Sequence, residues 1–247
     1  MRKLFFLISF LMVIVMAPRV MADQVRLYQQ SGYSYSNGGE FTADIVQSPS
    51  GPNLDLNWPY YSSNTRNIGS YNTSFQTFCV EYGETFVPGA LYDVAISNNA
   101  IYGGNPPNGD PISIGTAYLY HEFQLGRLTG YDYTSSGRGT SAGKLQATIW
   151  WLEGEANDPG NSNSFRNLVL TLFDNPQTPQ NEAMADNNSQ YPVMVLNVWD
   201  PGYIGVSGHQ HQDQLVCVPV PEPATMLLLG SGLIGLAGYG RKKFFKK

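Results

Sequence analysis

Several stretches of the chain alternate between apolar and polar residues with a period of two. Phe41, Ala43 and Ile45 fall on one side, with Thr42, Asp44 and Val46 on the other. Tyr92, Val94 and Ile96 repeat the pattern, and 75–82 is rich in aromatic and β-branched residues. Such alternation predicts half-buried strands. From Asp110 the period lengthens. Asp110-Pro111 offers a capping carboxylate and a proline suited to a first helical turn. Ile114, Ala117, Tyr118, His121, Leu125 and Leu128 then recur at helical spacing. A second helix is predicted over about 141–155, with Ala142, Leu145, Ile149 and Leu152 on one stripe. A third is predicted over about 164–174, with Phe165, Leu168, Leu172 and Phe173 inward. Strand character returns at 191–199 and 214–218. The expected fold is mostly β, sandwich-like, with a helical subdomain inserted at about 110–175. The Ser-, Pro- and Asn-rich stretch 47–67 reads as loop.

Both ends read as targeting segments. Met1-Arg2-Lys3 precedes an almost wholly apolar run from Leu4 to Ala17, and Val20-Met21-Ala22 ends on a small residue. This is the plan of a secretory signal peptide over 1–22, with cleavage expected after Ala22. At the other end, Pro221-Glu222-Pro223 is followed by 17 uncharged residues, Ala224 to Gly240, and then by Arg241, Lys242, Lys243, Lys246 and Lys247. Such a run is at the short end of what spans a bilayer. The basic cluster at 241–247 belongs on the cytoplasmic side, which leaves the body at 23–218 outside and held at the inner membrane by its C-terminus.

The tail, Val-Pro-Glu-Pro-Ala-Thr with an apolar Gly- and Leu-rich run and a basic end, resembles the PEP-CTERM sorting signal of Gram-negative bacteria. The resemblance covers 219–247 and makes Pro221, Glu222 and Pro223 the sorting motif. It implies an exosortase as processing partner, export toward the cell surface or matrix, and a host that makes extracellular polysaccharide.

Setting the two ends aside changes the charge picture. Between Asp23 and Val220 six basic residues face 18 acidic ones, a formal charge of −12, and Lys144 is the one lysine. An acidic body of this kind argues against binding nucleic acid or anionic headgroups.

The chain holds two cysteines, Cys79 and Cys217. In an exported protein a pair of cysteines suggests a disulfide. Gln146 competes for Cys79: it sits between Leu145 and Ile149 in the second predicted helix, where a buried amide needs partners. Phe78-Cys79-Val80-Glu81 and Leu145-Gln146-Ala147-Thr148-Ile149-Trp150 resemble the paired motifs of thioester domains in bacterial surface adhesins. Helical segments around 116–128 and 145–155 look like the thioester-type domains found on PEP-CTERM proteins. The resemblance runs, with gaps, over about 75–155 and implies a Cys79–Gln146 thioester. Such a bond would capture a surface amine or hydroxyl of a partner or matrix. Cys217 is not required by the family motifs, so a Cys79–Cys217 disulfide in a non-covalent structural or carbohydrate-binding envelope protein stays open.

Other signals are weaker. His209, His211 and Asp213 alternate, so on a regular strand they share a face and form a candidate metal set; a solvated Gly-rich loop is the simpler reading. Glu81, next but one to Cys79, is either an aid to proton transfer or a solvated strand-edge carboxylate. No nucleophile elbow, P-loop, dinucleotide fingerprint or zinc-protease motif is present. No cofactor is expected, and a tether formed once is not enzymatic turnover.

Overall fold

Residues 23–29, 31–33, 38–47, 74–101, 109–173 and 179–218 are described by a computed structural model of the chain. The period-two segments form strands β1 (Asp23–Gln29), β2 (Phe41–Gln47), β3 (Ser74–Thr77), β4 (Leu91–Ser97), β7 (Val193–Trp199) and β8 (Gln210–Cys217). They make one antiparallel sheet in the order β3-β2-β1-β4-β7-β8. Two short strands, β5 (Asn99–Ala100) and β6 (Asp110–Pro111), pair separately.

The expected sandwich of two facing sheets is replaced by one sheet that closes on itself. Just past β3, Cys79 bridges Gln214 of β8. Leu215 N donates to Phe78 O at 3.0 Å and Val80 N to Asp213 O at 3.0 Å. The two sheet edges therefore meet, leaving a barrel-like wall with few unpaired strand groups. Bulges supply the curvature. The β1–β2 register shifts at Gln24/Val25, and Asn197 of β7 faces both Gln212 and Asp213 of β8. A bulge of this kind bends its strand and increases the local twist.

Alternation sorts side chains to the two faces of the wall. Val25, Leu27, Ala43, Phe75, Val94 and Val216 fill its interior. Val193, Val195, Leu215 and Cys217 point the other way, into a second core shared with the helices. Those helices lie between β6 and β7: α1 (Ile114–Gln124), α2 (Arg138–Leu152), α3 (Ser164–Leu172) and α4 (Pro179–Ala183).

Asp110-Pro111 pairs in β6 and does not start α1. Ser113 is the cap: its hydroxyl accepts from Thr116 N at 3.1 Å and donates to Glu153 at 2.7 Å. The buried side of α1 is also wider than the predicted stripe. Leu119, Tyr120 and Phe123 are fully buried, whereas Tyr118 and His121 are partly exposed. The reason is that α1 packs on both the sheet and its sister helices. Toward the sheet it carries a polar network, with Tyr120 Oη donating to Gln76 O at 2.9 Å and Gln124 reaching the same carbonyl. In α3, Phe165 and Val169 face inward while Leu172 is exposed.

Phe123 joins this second core to the seam. Its ring meets Phe78 edge-on at 5.1 Å and Tyr131 at 5.0 Å. Truncating a fully buried aromatic costs about 3–5 kcal/mol through lost transfer energy and the residual cavity. Phe123→Ala is therefore expected to lower unfolding free energy by that amount, measured by urea titration with an unchanged m-value.

Candidate functional site

The seam that closes the sheet also creates the site. The sequence expects Cys79 inside a strand, but it lies just past a strand of four residues and forms an isolated bridge to β8. In that bridge the hydrogen bonds to β8 come from its neighbours Phe78 and Val80. The N–H and C=O of Cys79 itself point to the opposite side, and the residue is fully buried. The side-chain amide of Gln146, from the middle of α2, occupies the place of a missing neighbour strand. Gln146 Nε2 donates to Cys79 O at 2.8 Å, and Cys79 N donates to Gln146 Oε1 at 3.2 Å.

Two further contacts converge on that carbonyl oxygen. Gly39 N donates to Oε1 at 3.1 Å, and Cys79 Sγ lies 3.2 Å from it. The oxygen thus rests between two backbone N–H groups with a thiol beside it. A pair of fixed donors at this distance is what stabilises negative charge on a carbonyl oxygen during acyl transfer. The close approach depends on two glycines. A Cβ on Gly38 would lie 2.6 Å from Gln146 Cγ, and one on Gly39 would lie 3.1 Å from Oε1. Gly38 and Gly39 were not among the expected site residues. A Gly-Gly pair one residue before a strand is the sequence signal that marks them.

The surroundings are apolar and acidic. Burial pushes the Cys79 thiol well above its ordinary range; the nearby Trp150 indole N–H acts against this, and Glu81 adds to it when ionised. The exposed Tyr82 ring meets Trp150 edge-on at 4.9 Å, over the outer side of the site. Glu81 is not a solvated edge carboxylate: the residue is 4% exposed. Burial, a hydrogen bond to Glu84 and the nearby Asp213 raise its pKa. Burial likewise raises Asp213 to about 7, against N–H donors that favour the charged form.

Cys217 lies elsewhere. It is a buried β8 residue facing the helices, and neither cysteine is in a disulfide. Cys79 is paired with Gln214, three residues before Cys217 on the same strand. At ~3.3 Å per residue that offset is about 10 Å, beyond the ~7 Å Cα limit for a disulfide. The expected His209–His211–Asp213 set is also split. His209 Nδ1 and His211 Nε2 both contact Asp200, at 2.9 and 2.8 Å. The β8 bulge breaks the period of two and turns Asp213 to the other face, where it accepts from Ile101 N, Asn197 Nδ2 and Val198 N. Among the described residues no group of three metal-binding side chains is present.

The raised acids fix the direction of a pH effect. A carboxyl whose pKa is higher folded than unfolded contributes stability that is complete below its unfolded pKa and lost as pH rises through the folded one. For Asp213 that loss spans roughly pH 4 to about 7, and the upward shift of Glu81 extends it to higher pH. The melting temperature is expected to fall from pH ~5 to ~8, and Glu81→Gln to flatten that fall; a scanning-fluorimetry series in matched ionic strength checks both.

Pro221, Glu222 and Pro223 lie outside the described residues, as do the signal segment 1–22, all but the first residue of the stretch 47–67 and the apolar run 224–240. Among the described residues no helix is long and apolar enough to cross a membrane. No curated protein and no solved structure matches the chain. Residues 219–242 match the PEP-CTERM protein-sorting motif. The chain therefore carries the signal of an exported, membrane-associated protein that is sorted by an exosortase.

Proposed function

We propose that the body of this exported protein is a covalent attachment module in which Cys79 and Gln146 form an internal thioester. The observation that carries the reading is the position of the Gln146 carbonyl oxygen, held by the N–H groups of Gly39 and Cys79 with the Cys79 sulfur 3.2 Å away. In the first step Cys79 Sγ bonds to Gln146 Cδ, the C–N bond breaks, and the thiol proton leaves with the amide nitrogen as ammonia. In the second, an amine or hydroxyl of a partner bonds to the same carbon. The C–S bond breaks and the partner's proton returns to sulfur, leaving an amide or ester and a Cys79 thiol. The tether forms once, so the module is an adhesin or matrix cross-linker and not a catalyst.

Two features of the chain support this role. Lys144 is the one lysine in a body of charge −12, which limits reaction of the module with its own kind. The sorting motif is that of an exported protein, which favours a body that meets surface and matrix nucleophiles outside the cytoplasm. A second reading, a non-covalent structural or carbohydrate-binding envelope protein, draws on the paired hydrogen bonds between the Gln146 amide and the Cys79 backbone, which suit a purely structural role.

Intact mass separates the two. The thioester reading expects the exported protein to be one ammonia short, to gain methylamine on incubation, and to show full mass in Cys79→Ala and Gln146→Ala. Full mass in the native protein, with no methylamine uptake, leaves the non-covalent reading standing alone. Cys217→Ala is expected to change neither result.

A further inference from the structure

We infer that the buried Glu40–Arg138 ion pair is the device that sets the Gly39 N–H against the Gln146 carbonyl, which makes both residues positioning groups for the acyl chemistry. This inference rests on the thioester reading. Glu40 directly follows Gly39, and Arg138 is the first residue of α2, the helix that carries Gln146 and Trp150. The pair is two-pronged: Arg138 Nη2 donates to Glu40 Oε1 at 2.6 Å and Nε to Oε2 at 2.8 Å. Tyr131 Oη donates to Oε2 at 2.6 Å, and the Arg138 guanidinium lies 4.2 Å from the centroid of the Tyr33 ring. Glu40 N donates to Tyr33 O at 3.0 Å, which fixes the backbone on the other side. The Glu40 side chain is fully buried and that of Arg138 8% exposed.

Geometry distinguishes this arrangement from general packing. The oxygen that must be held belongs to a side chain of α2, and one of its donors belongs to the segment before β2. The polar contacts that tie these two pieces of chain across the site include the hydrogen bond in question and the ion pair one residue away from it, beside the close packing of Gly38 on Gln146 and Trp150. A buried ion pair is a poor way to gain stability, because desolving both charges offsets most of their attraction. A planar fork does fix distance and angle.

The test uses the full-length exported protein. The Glu40→Leu/Arg138→Leu double variant removes both charges together, so neither is left buried alone. Arg138→Lys keeps the charge and loses the fork. Val169→Ala, in α3 away from the site, is the control for lost stability. Three quantities are measured: the fraction one ammonia short, the methylamine rate per thioester-bearing molecule, and the melting temperature. Loss of one aligned oxyanion donor costs on the order of 100-fold in other acyl-transfer sites. The double variant is expected to react about 10–100-fold more slowly per thioester, with Arg138→Lys lowered in the same direction. Val169→Ala is expected to melt lower and react at the native rate. A native rate in a folded double variant overturns the inference, and if the double variant does not fold, a native rate in Arg138→Lys overturns it. A native protein of full mass overturns the thioester reading itself, and this inference with it.

Discussion

A strand that meets its neighbour on one side leaves a row of backbone groups on the other. At Cys79 that row is buried, and an unmade hydrogen bond there costs about 1–3 kcal/mol per group. The sheet cannot close at Phe78–Val80 without placing Cys79 in this position, because closure uses the Phe78 carbonyl and the Val80 N–H. The Gln146 amide resolves the conflict by supplying one acceptor and one donor in the geometry of a strand peptide. The depth of α2 against the sheet, the two glycines before β2 and the Glu40–Arg138 fork are all consequences of bringing one side-chain amide to one backbone edge.

The same requirement explains why the helical insert belongs to the barrel and is not an appendage. Its core is continuous with the outer face of β7 and β8 through Val193, Val195 and Leu215. It is joined to β3 through the Gln76 carbonyl, which receives Tyr120 and Gln124. Ser113 and Glu153 tie the start of α1 to the end of α2. These polar contacts are buried and specific in direction, so they orient the helices where apolar packing alone would tolerate sliding.

Much of this was legible in the chain, and the limits have a physical pattern. β2 and β4 announced themselves because one face of each is buried. Gln146 was legible because an amide on an apolar stripe demands an explanation. What was missed depends on pairs far apart in sequence. Closure of the sheet rests on Cys79 meeting Gln214, and the choice between a sandwich and a barrel leaves no local mark. Glu40 and Arg138 are 98 residues apart, and neither is unusual in its own segment. The His209–His211–Asp213 set failed because a bulge turned the last member over, and a bulge of two ordinary polar residues has no compositional signature. Asp200 sits at the start of the β7–β8 turn, where only the strand register brings it to both histidines.

Burial makes opposite demands on the chemistry proposed here. A thioester survives only where water is excluded, yet the same exclusion holds Cys79 protonated, as its raised pKa shows. A neutral thiol is a weak nucleophile, so thiolate concentration alone cannot drive formation of the bond. The site offsets this with placement. The sulfur and two N–H donors converge on the carbonyl oxygen, so the donors that would hold the oxyanion are already in place in the resting amide. The raised acids nearby act in the same sense: a Glu81 that keeps its proton adds no full negative charge beside the forming oxyanion. Among the described residues, charge is thereby managed by burial and position. That arrangement suits a bond that forms once during folding and is then kept dry until a partner reaches it.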